Sequence, residues 1–325
     1  MTGLYQVLGV PFGYILYFLY HTIAFQNYGV AIILLTFIAR LFMLPTSIHQ
    51  QKGMAKTQRI QAKVRKIQEK YAGDQKKIQE ETQALYSREG YNPMNAGCAP
   101  MAVQFLLLFG LIGAIYYPLS NFLHIDEAQI NILTEGLKTL NIGALTKSPH
   151  LNELFVIENI KELAFLKENG LSESVYNLIY EMKSGGHFEF LGISLGDIPM
   201  NYTGGFHKIW LIPVLSTITT LATSFYSYFK QKQTNTNPAA GKSMGCMTIG
   251  MAAMSLYFVI RFPAGIGLYW IASGLFGFIS TVIIGKIYSP NKVLSKLMID
   301  ETVERRSREN SLKLVAAEKE KEENM

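Results

Sequence analysis

Hydrophobic residues along this chain are gathered into long runs that contain almost no charge. Residues 1–39 include no Asp, Glu, Lys or Arg, and further uncharged runs extend over 90–125, 209–229, 243–260 and 262–285. About 20 apolar residues are enough to cross a bilayer as a helix, and a helix satisfies the backbone groups that hydrocarbon cannot. The pattern therefore predicts five membrane-spanning helices: Val30 to Ile48, Pro100 to Phe122, Trp210 to Phe229, Met244 to Ile260, and Gly265 to Gly285.

The segment before the first predicted span, residues 1–27, is apolar but short. It carries four tyrosines, which suit a membrane interface, and Pro11 is able to open a helix. No basic residue lies in the first ten positions, as a signal peptide would require. We expect a helix lying on the membrane surface, with a sixth span or a signal anchor as the alternative.

Composition agrees with a membrane protein, because 49% of the 325 residues are hydrophobic and only 17% are charged, against about a quarter in soluble domains. The two cysteines, Cys98 and Cys246, lie near the predicted cytosolic ends of spans, and this position argues against a disulfide framework. The six histidines are scattered and form no metal motif. We therefore expect no metal and no cofactor.

Basic residues indicate which side of the membrane each loop occupies. Residues 51–97 contain ten Lys and Arg against five acids, and 230–242 contain three lysines and no acid. Residues 126–199 instead carry eleven acids and five lysines. Five alternating spans place the basic segments and the C-terminus in the cytosol and the acidic segment outside. The predicted topology is therefore self-consistent for a multi-pass plasma-membrane protein.

Two further helical regions lie outside the spans. Residues 51–91 read as two helices broken at "AGD", which suggests an antiparallel cytosolic hairpin, or alternatively a solvated charged linker. In the outer segment, residues 151–170 and 172–186 read as amphipathic helices that end at Gly170 and Gly185. We expect these two helices to form a small cap on the outer membrane face.

Arg40 is the unusual residue of the first predicted span. It lies about nine residues, or roughly 14 Å, from either end, and a guanidinium at such a depth costs at least about 2.5–3.5 kcal/mol. The five predicted spans contain no Asp or Glu to neutralise it. Arg40 must therefore contact water, polar side chains or a visiting anion.

Hydroxyl side chains recur at helical spacing in three of the predicted spans. Taken singly, such residues usually bond to their own backbone or pack between helices. Three stripes together with an unpaired arginine favour a wet, positively charged cavity. The stripes are Thr36, Arg40 and Ser47; Ser216, Thr220, Ser224 and Ser227, with Thr223 beside them; and Tyr269, Ser273 and Ser280, while Gln104 adds an amide.

A basic cavity is compatible with more than one function. An ion-coupled transporter normally places a titratable carboxylate or broken helices near the midplane, and an anion channel needs rings of charge. A small-solute or anion transporter remains the alternative function. An intramembrane hydrolase is disfavoured, because "GISLG" at 192–196 lies in an outer loop without a strand-to-helix context.

The ordered motifs resemble those of the YidC/Oxa/Alb membrane protein insertases, in the short form of bacteria with a single membrane. "NYGVAIILLTFIARLFMLP" is similar to the first core span of the family. "MAKTQRIQAKVRKIQEKY" and "LYSREGYNPMNAGCAPMAVQ" resemble the cytosolic hairpin and the start of the second span, and "RFPAGIGLYWIASGLF" resembles the last outer turn and span. The resemblance covers about 27–288, apart from an insert at 127–185.

The resemblance implies an all-α fold in which five spans enclose a hydrophilic groove open to the cytosol. It implies that nascent membrane proteins and the lipid bilayer are partners, with the Sec translocon and the ribosome as further candidates. It also implies a non-enzymatic insertase and chaperone whose groove arginine attracts acidic substrate tails. The resemblance assigns Arg40 and Trp270 to the groove. The polar stripes add the other predicted groove residues, which are Thr36, Gln104, Thr220, Ser224, Tyr269 and Ser273.

Several family positions differ here. Ser224 aligns with a family glutamine, and Gly274 and Ser280 align with a family asparagine and glutamine. The family motif Gln-Met-Pro is replaced by Gln-Phe-Leu at residues 104–106. The predicted groove is therefore lined by hydroxyls more than by amides.

The predicted segments are 1–27 (interfacial helix), 28–50 (first span), 51–97 (hairpin), 98–124 (second span), 125–205 (outer loop with inserted helices), 206–229 (third span), 230–243 (cytosolic loop), 244–287 (fourth and fifth spans) and 288–325 (charged cytosolic tail).

Overall fold

A computed structural model gives the architecture of the chain, which is mainly α-helical, in agreement with the predicted class. One hairpin of two-residue strands, β1 (Glu189–Phe190) and β2 (Ile193–Ser194), is the exception within the described residues. The structure describes residues 2–90, 105–106, 108–140, 151–202, 205, 207–234, 250 and 252–323. The helices are α1 (Thr2–Thr22), α2 (Tyr28–Phe42), α3 (Leu44–Lys70), α4 (Gln75–Arg88), α5 (108–116), α6 (Glu127–Thr139), α7 (Asn152–Glu158), α8 (Glu173–Ser184), α9 (Leu211–Thr234), α10 (Ala252–Arg261), α11 (Ala264–Ile287) and α12 (Pro290–Glu323).

Two helices are long and apolar enough to cross a membrane, Lys208–Lys230 and Ala264–Ile287. A third candidate arises if α2 and the first ten residues of α3 count as one span. Shorter apolar helices extend over Val7–Thr22 and Ala252–Arg261. The described residues therefore support two or three spans. The predicted second and fourth spans fall partly outside the described residues, at 100–104, 107, 244–249 and 251.

Contacts divide the chain into two units: Met1–Leu44 with Met101–Thr281, and Pro45–Pro100 with Val282–Met325. The core of the first unit surrounds Tyr28, which is fully buried. Its hydroxyl donates to the carbonyl of Ala114 at 3.1 Å, and its ring contacts Phe122 and Phe188 at 5.0 and 5.2 Å between centroids. The start of α2 is therefore fixed both to α5 and to the outer segment.

The N-terminal helix α1 packs closely against the residues that follow α5. A Cβ atom on Gly13 would lie 1.9 Å from the carbonyl oxygen of Asn121, so only glycine allows this approach. Leu16 and Leu19 of α1 are buried in the same core. The apolar face of α1 is thus used for packing within the protein, while Val7 and Phe18 stay exposed on its other side.

The outer segment contains α6, α7 and α8, with a 3-10 helix over Glu162–Asn169. The predicted single helix over 151–170 is wrong in this respect, because α7 stops at Glu158 and the chain resumes as the 3-10 helix. The side chain of Asn159 bonds back to the carbonyl of Phe155 at 2.8 Å, which competes with helix continuation. Gly170 then ends the segment in a left-handed conformation, φ 94°.

Glu153 is the buried acid of this outer segment, with 6% of its surface exposed. Its carboxylate accepts hydrogen bonds from the backbone N–H groups of Leu119 and Ser120, at 2.7 and 3.0 Å, and from the Ser120 hydroxyl at 2.7 Å. Both residues belong to the single π-helical turn Pro118–Phe122 that follows α5. Glu153 therefore fastens the inserted helices to the end of the second predicted span.

The second unit contains α3, α4 and the C-terminal helix α12. Asp74 caps α4 by accepting from the N–H of Lys77 at 3.1 Å, and Lys63 forms an ion pair with Glu89 just beyond the end of α4. This pair brings the residue that follows α4 into contact with α3. In the same unit, Lys52 lies 5.2 Å from the centre of the Tyr288 ring.

Candidate functional site

Arg40 lies in the last turn of α2, which ends at Phe42, and α3 begins at Leu44. The prediction of one unbroken helix from Val30 to Ile48 is therefore wrong. Pro45 explains the break, because proline has no N–H to donate and its ring clashes with the carbonyl four residues earlier. A cation in the last turn also compensates the partial negative charge of the free carbonyls there.

The guanidinium of Arg40 points towards α11. Its Nη2 atom donates a hydrogen bond to the hydroxyl of Ser273, which is 6% exposed. A Cβ atom on Gly277, one turn further along α11, would lie 3.8 Å from the guanidinium carbon and nitrogens, an ordinary contact distance. The absence of a side chain at Gly277 therefore leaves room beside Arg40. The rings of Phe37 and Phe276 form another contact between α2 and α11, with 5.1 Å between their centroids.

No carboxylate lies within ion-pair distance of Arg40 among the residues that the structure describes. An arginine carries five N–H donors and no acceptor. Ser273 takes one of them with a neutral oxygen, so the remaining donors require other acceptors. Arg40 as a whole residue is half-buried.

Tyr269 and Thr36, two more of the predicted groove residues, lie on the helices that carry Ser273 and Arg40. Tyr269, one turn before Ser273 on α11, is 5% exposed. Thr36, one turn before Arg40 on α2, is 1% exposed and donates to the carbonyl of Ile32 at 2.7 Å. Thr36 thus bonds within its own helix.

The hydroxyl stripe of α9 behaves in a similar way to Thr36. Thr220 donates to the carbonyl of Ser216 at 2.9 Å, and Thr223 donates to that of Thr219 at 3.0 Å. Ser216 differs, because its hydroxyl is fully buried and has no partner among the described residues. Ser224 is half-buried on the same helix. Helix α9 packs closely against α11, because a Cβ on Gly274 would lie 2.6 Å from the Thr219 hydroxyl oxygen.

Trp270 lies in an aromatic cluster with Phe258 and Phe262. Its ring is 6.5 Å from that of Phe258 on α10 and 6.4 Å from that of Phe262, at interplanar angles of 15° and 27°. This cluster packs the turn between α10 and α11. The remaining predicted groove residue, Gln104, lies outside the described residues.

The "GISLG" motif has a structural explanation. Ser194 lies in strand β2, and its hydroxyl donates to the carboxylate of Glu158, which also pairs with Lys183. A serine whose proton is directed to an ion-paired carboxylate has a packing role here. No group of three or more His, Cys, Asp or Glu residues suited to a metal ion occurs in the part of the chain that the structure describes.

Sequence reasoning missed Gly277, although a signal was present. It lies one turn beyond Ser273 on the helix face that carries the polar residues of the last span. A glycine inside an apolar helix commonly marks a close approach. Sequence reasoning also missed Glu153, because no pattern distinguishes this residue from the other ten acids of the outer segment.

Comparisons with known proteins identify relatives of this chain. Three relatives are membrane protein insertases called YidC or YidC 1. The one from Clostridium perfringens is 27% identical over 83% of this chain and 82% of its own length, and the one from Bacillus anthracis is 24% identical over 88% and 83%. The one from Syntrophus aciditrophicus is 38% identical over 34% of this chain, a match that spans only 20% of that relative.

A sequence profile described as 60Kd inner membrane protein matches residues 18–292. That range includes α2 with Arg40, the inserted outer helices and α11 with Ser273 and Gly277. It also corresponds to the resemblance expected from the motifs alone. The chain therefore belongs to the 60Kd inner membrane protein family, which is the YidC/Oxa/Alb family.

Proposed function

We propose that this protein is a membrane protein insertase and chaperone. It receives nascent membrane proteins from the cytosol and transfers their polar segments through a hydrophilic groove bounded by five spans. The family, and the names of the relatives that match more than four-fifths of the chain, support insertase function. The observation that carries the groove proposal is Arg40, a half-buried residue whose hydrogen-bond partner among the described residues is the neutral Ser273.

Arg40 supplies the attraction for substrate in this proposal. A carboxylate in the translocated tail of a substrate meets spare N–H donors in a partly enclosed site, where charges are screened less than in water. Hydrogen bonds to charged groups contribute about 1.5–3 kcal/mol. The neutral Ser273 holds the guanidinium in place without neutralising it, and the space at Gly277 admits the incoming group.

The groove lowers the barrier for a short polar segment, because water and hydroxyls replace part of the solvation that bare lipid would remove. The substrate's apolar helix then enters lipid, which contributes about 0.8 kcal/mol per methylene removed from water. The membrane potential draws acidic tails outward. No covalent bond is made or broken, so the proposed activity is not enzymatic and needs no cofactor.

The basic cytosolic segments favour contact with the translating ribosome. Helix α12 presents the exposed Arg305, Arg306 and Arg308, which attract the phosphates of ribosomal RNA in this proposal. Arg305 and Arg308 form exposed ion pairs with Glu309 and Glu304, and such surface pairs are weak. Anionic lipid attracts the same charges. Salt-dependent co-sedimentation with translating ribosomes, compared between the full chain and a chain truncated before α12, separates the two: loss of ribosome binding on truncation supports the ribosome contact.

The direct test replaces Arg40 in cells depleted of other insertases. Arg40→Ala is expected to lower insertion of substrates with acidic translocated tails about tenfold, because about 1.4 kcal/mol of attraction corresponds to a factor of ten. Arg40→Lys retains most activity, since it retains the charge. Protease protection of the translocated tail measures the inserted fraction.

Two controls make this test specific. Arg261→Ala removes one positive charge, as Arg40→Ala does, but from an exposed arginine at the end of α10. We expect this control to leave insertion unchanged. A substrate whose tail carries Asn and Gln in place of the acids depends less on Arg40. Equal insertion of the acidic substrate by Arg40→Ala and the unmodified protein would refute the role given to the charge.

A further inference from the structure

An apolar cavity of about 250 Å³ lies in the first unit, at the N-terminal halves of α9 and α11. Ile33 of α2 and the hairpin β1–β2 complete its walls. Thirteen of its fourteen lining residues are apolar, and the exception is Lys208 at the start of α9. The cavity is separate from the Arg40 site, because none of its lining residues is Arg40, Ser273 or Gly277.

The cavity reaches the surface of the protein on the side of α9 and α11. Leu211, Leu215 and Leu275 line it and are 43%, 45% and 46% exposed. Because Lys208–Lys230 and Ala264–Ile287 are long and apolar enough to span the membrane, we infer that lipid covers this exposed surface. A lipid molecule therefore has direct access to the cavity.

The hairpin forms a fixed wall of the cavity. The N–H of Tyr28 donates to the carbonyl of His187 at 2.8 Å, and the side chain of Asn27 donates to that of Glu189, also at 2.8 Å. At the tip, Leu191 adopts φ 55° and is 81% exposed. A branched apolar residue in that conformation is disfavoured and exposes an apolar side chain. Lipid is the surrounding that suits it.

We propose that this cavity binds one acyl chain of an anionic glycerophospholipid, with the phosphate of the headgroup against Lys208. The apolar walls suit an aliphatic chain and offer a peptide backbone no hydrogen-bonding partner. Lys208, the charged residue of its lining, complements an anionic headgroup.

Lys208 determines which lipid binds. An acyl chain is surrounded by apolar groups both in the bilayer and in the cavity, so transfer between them hardly distinguishes one phospholipid from another. Lys208 is exposed and forms no ion pair with any residue that the structure describes. Its position before the first turn of α9 adds the positive end of the helix dipole. Selectivity therefore depends on headgroup charge.

The test uses the purified full-length protein in detergent and phosphatidylglycerol or phosphatidylcholine with identical acyl chains. Native mass spectrometry measures the retained lipid as each is titrated. We expect a preference for phosphatidylglycerol that Lys208→Glu lowers at least about fivefold and Lys208→Arg keeps. Lys161→Glu, which reverses an exposed charge elsewhere in the outer segment, is the matched control and leaves the preference unchanged. An unchanged preference in Lys208→Glu would overturn the proposal.

A second experiment identifies the occupant in cells, without depending on the proposed insertase function. A photo-crosslinking amino acid at Leu215 is expected to yield adducts with the mass of an anionic phospholipid. Ala272→Phe fills the cavity and removes these adducts, while Ile279→Phe, on the exposed face of α11 and outside the cavity, does not. Unchanged thermal unfolding shows that each variant is folded. Adducts formed mainly with polypeptide would assign the cavity to a client helix instead.

Discussion

Glu153 and Arg40 are two enclosed charges of the same unit, and their surroundings are opposite. Glu153 accepts three hydrogen bonds, from two backbone N–H groups and one hydroxyl, and is 6% exposed. Arg40 is half-buried and donates to the hydroxyl of Ser273, the one hydrogen-bond partner that the described residues provide. A charge that serves the fold has its hydrogen bonds satisfied within the protein. A charge that serves an incoming group keeps some of them available.

The largest effect on stability is expected at Glu153. Glu153→Ala leaves the N–H groups of Leu119 and Ser120 without an acceptor, and each buried unsatisfied group costs about 1–3 kcal/mol. We expect the free energy of unfolding to fall by about 3 kcal/mol, measured by unfolding in detergent. Glu135→Ala removes an exposed acid of α6 and changes it by less than about 0.5 kcal/mol. Arg40→Ala lowers it by less than about 1 kcal/mol; a loss as large as that of Glu153→Ala would remove the contrast.

A smaller effect is expected from pH. Burial raises the pKa of Glu153 from 4.5 to about 7, although the hydrogen bonds from Ser120 and Leu119 oppose the shift. In the folded protein the Glu153 carboxyl group therefore stays protonated at pH values where it is ionised in the unfolded chain. Stability contributed by the protonated form is fully present below about pH 4.5 and is lost as the pH rises through about 7.

The measurement is the free energy of unfolding between pH 4.5 and 7. We expect it to fall by about 1–3 kcal/mol over this range. Glu153→Gln cannot ionise and flattens this part of the profile. If the unmodified protein and Glu153→Gln have parallel profiles, another group is responsible for the pH dependence.

Much of the fold could be predicted from uncharged runs and helix-ending residues. The ranges Trp210 to Phe229 and Gly265 to Gly285 lie within helices of the structure, and α8 ends at Ser184, directly before Gly185 as expected. The break at Met43 was predictable from Pro45, yet the apolar run concealed it. Apolar runs report what is buried in lipid or protein, and they do not report where the backbone bends.

Other features depend on contacts that are distant in sequence. The hairpin β1–β2 has strands of two residues, too short for an alternating pattern, and is fixed to α2 by Asn27 and Tyr28. For the site, the spacing of polar residues selected both Arg40 and Ser273. Their direct hydrogen bond, between residues 233 positions apart, could not be predicted from that spacing. Trp270 was assigned by resemblance, and its surroundings are set by Phe258 and Phe262.

Disulfide crosslinking at Gly277 tests the central claim most directly, because a Cβ there makes ordinary contact with the Arg40 guanidinium. In a chain whose Cys98 and Cys246 are replaced by Ser, Gly277→Cys is challenged with stalled nascent chains that carry one cysteine in an acidic or a neutral tail. Leu275→Cys, on the exposed face of α11, is the control. We predict that Gly277→Cys captures the acidic tail several-fold better than the neutral one, and that Arg40→Ala abolishes this difference. Equal capture of both tails at Gly277→Cys would contradict the claim that Arg40 receives acidic substrate segments.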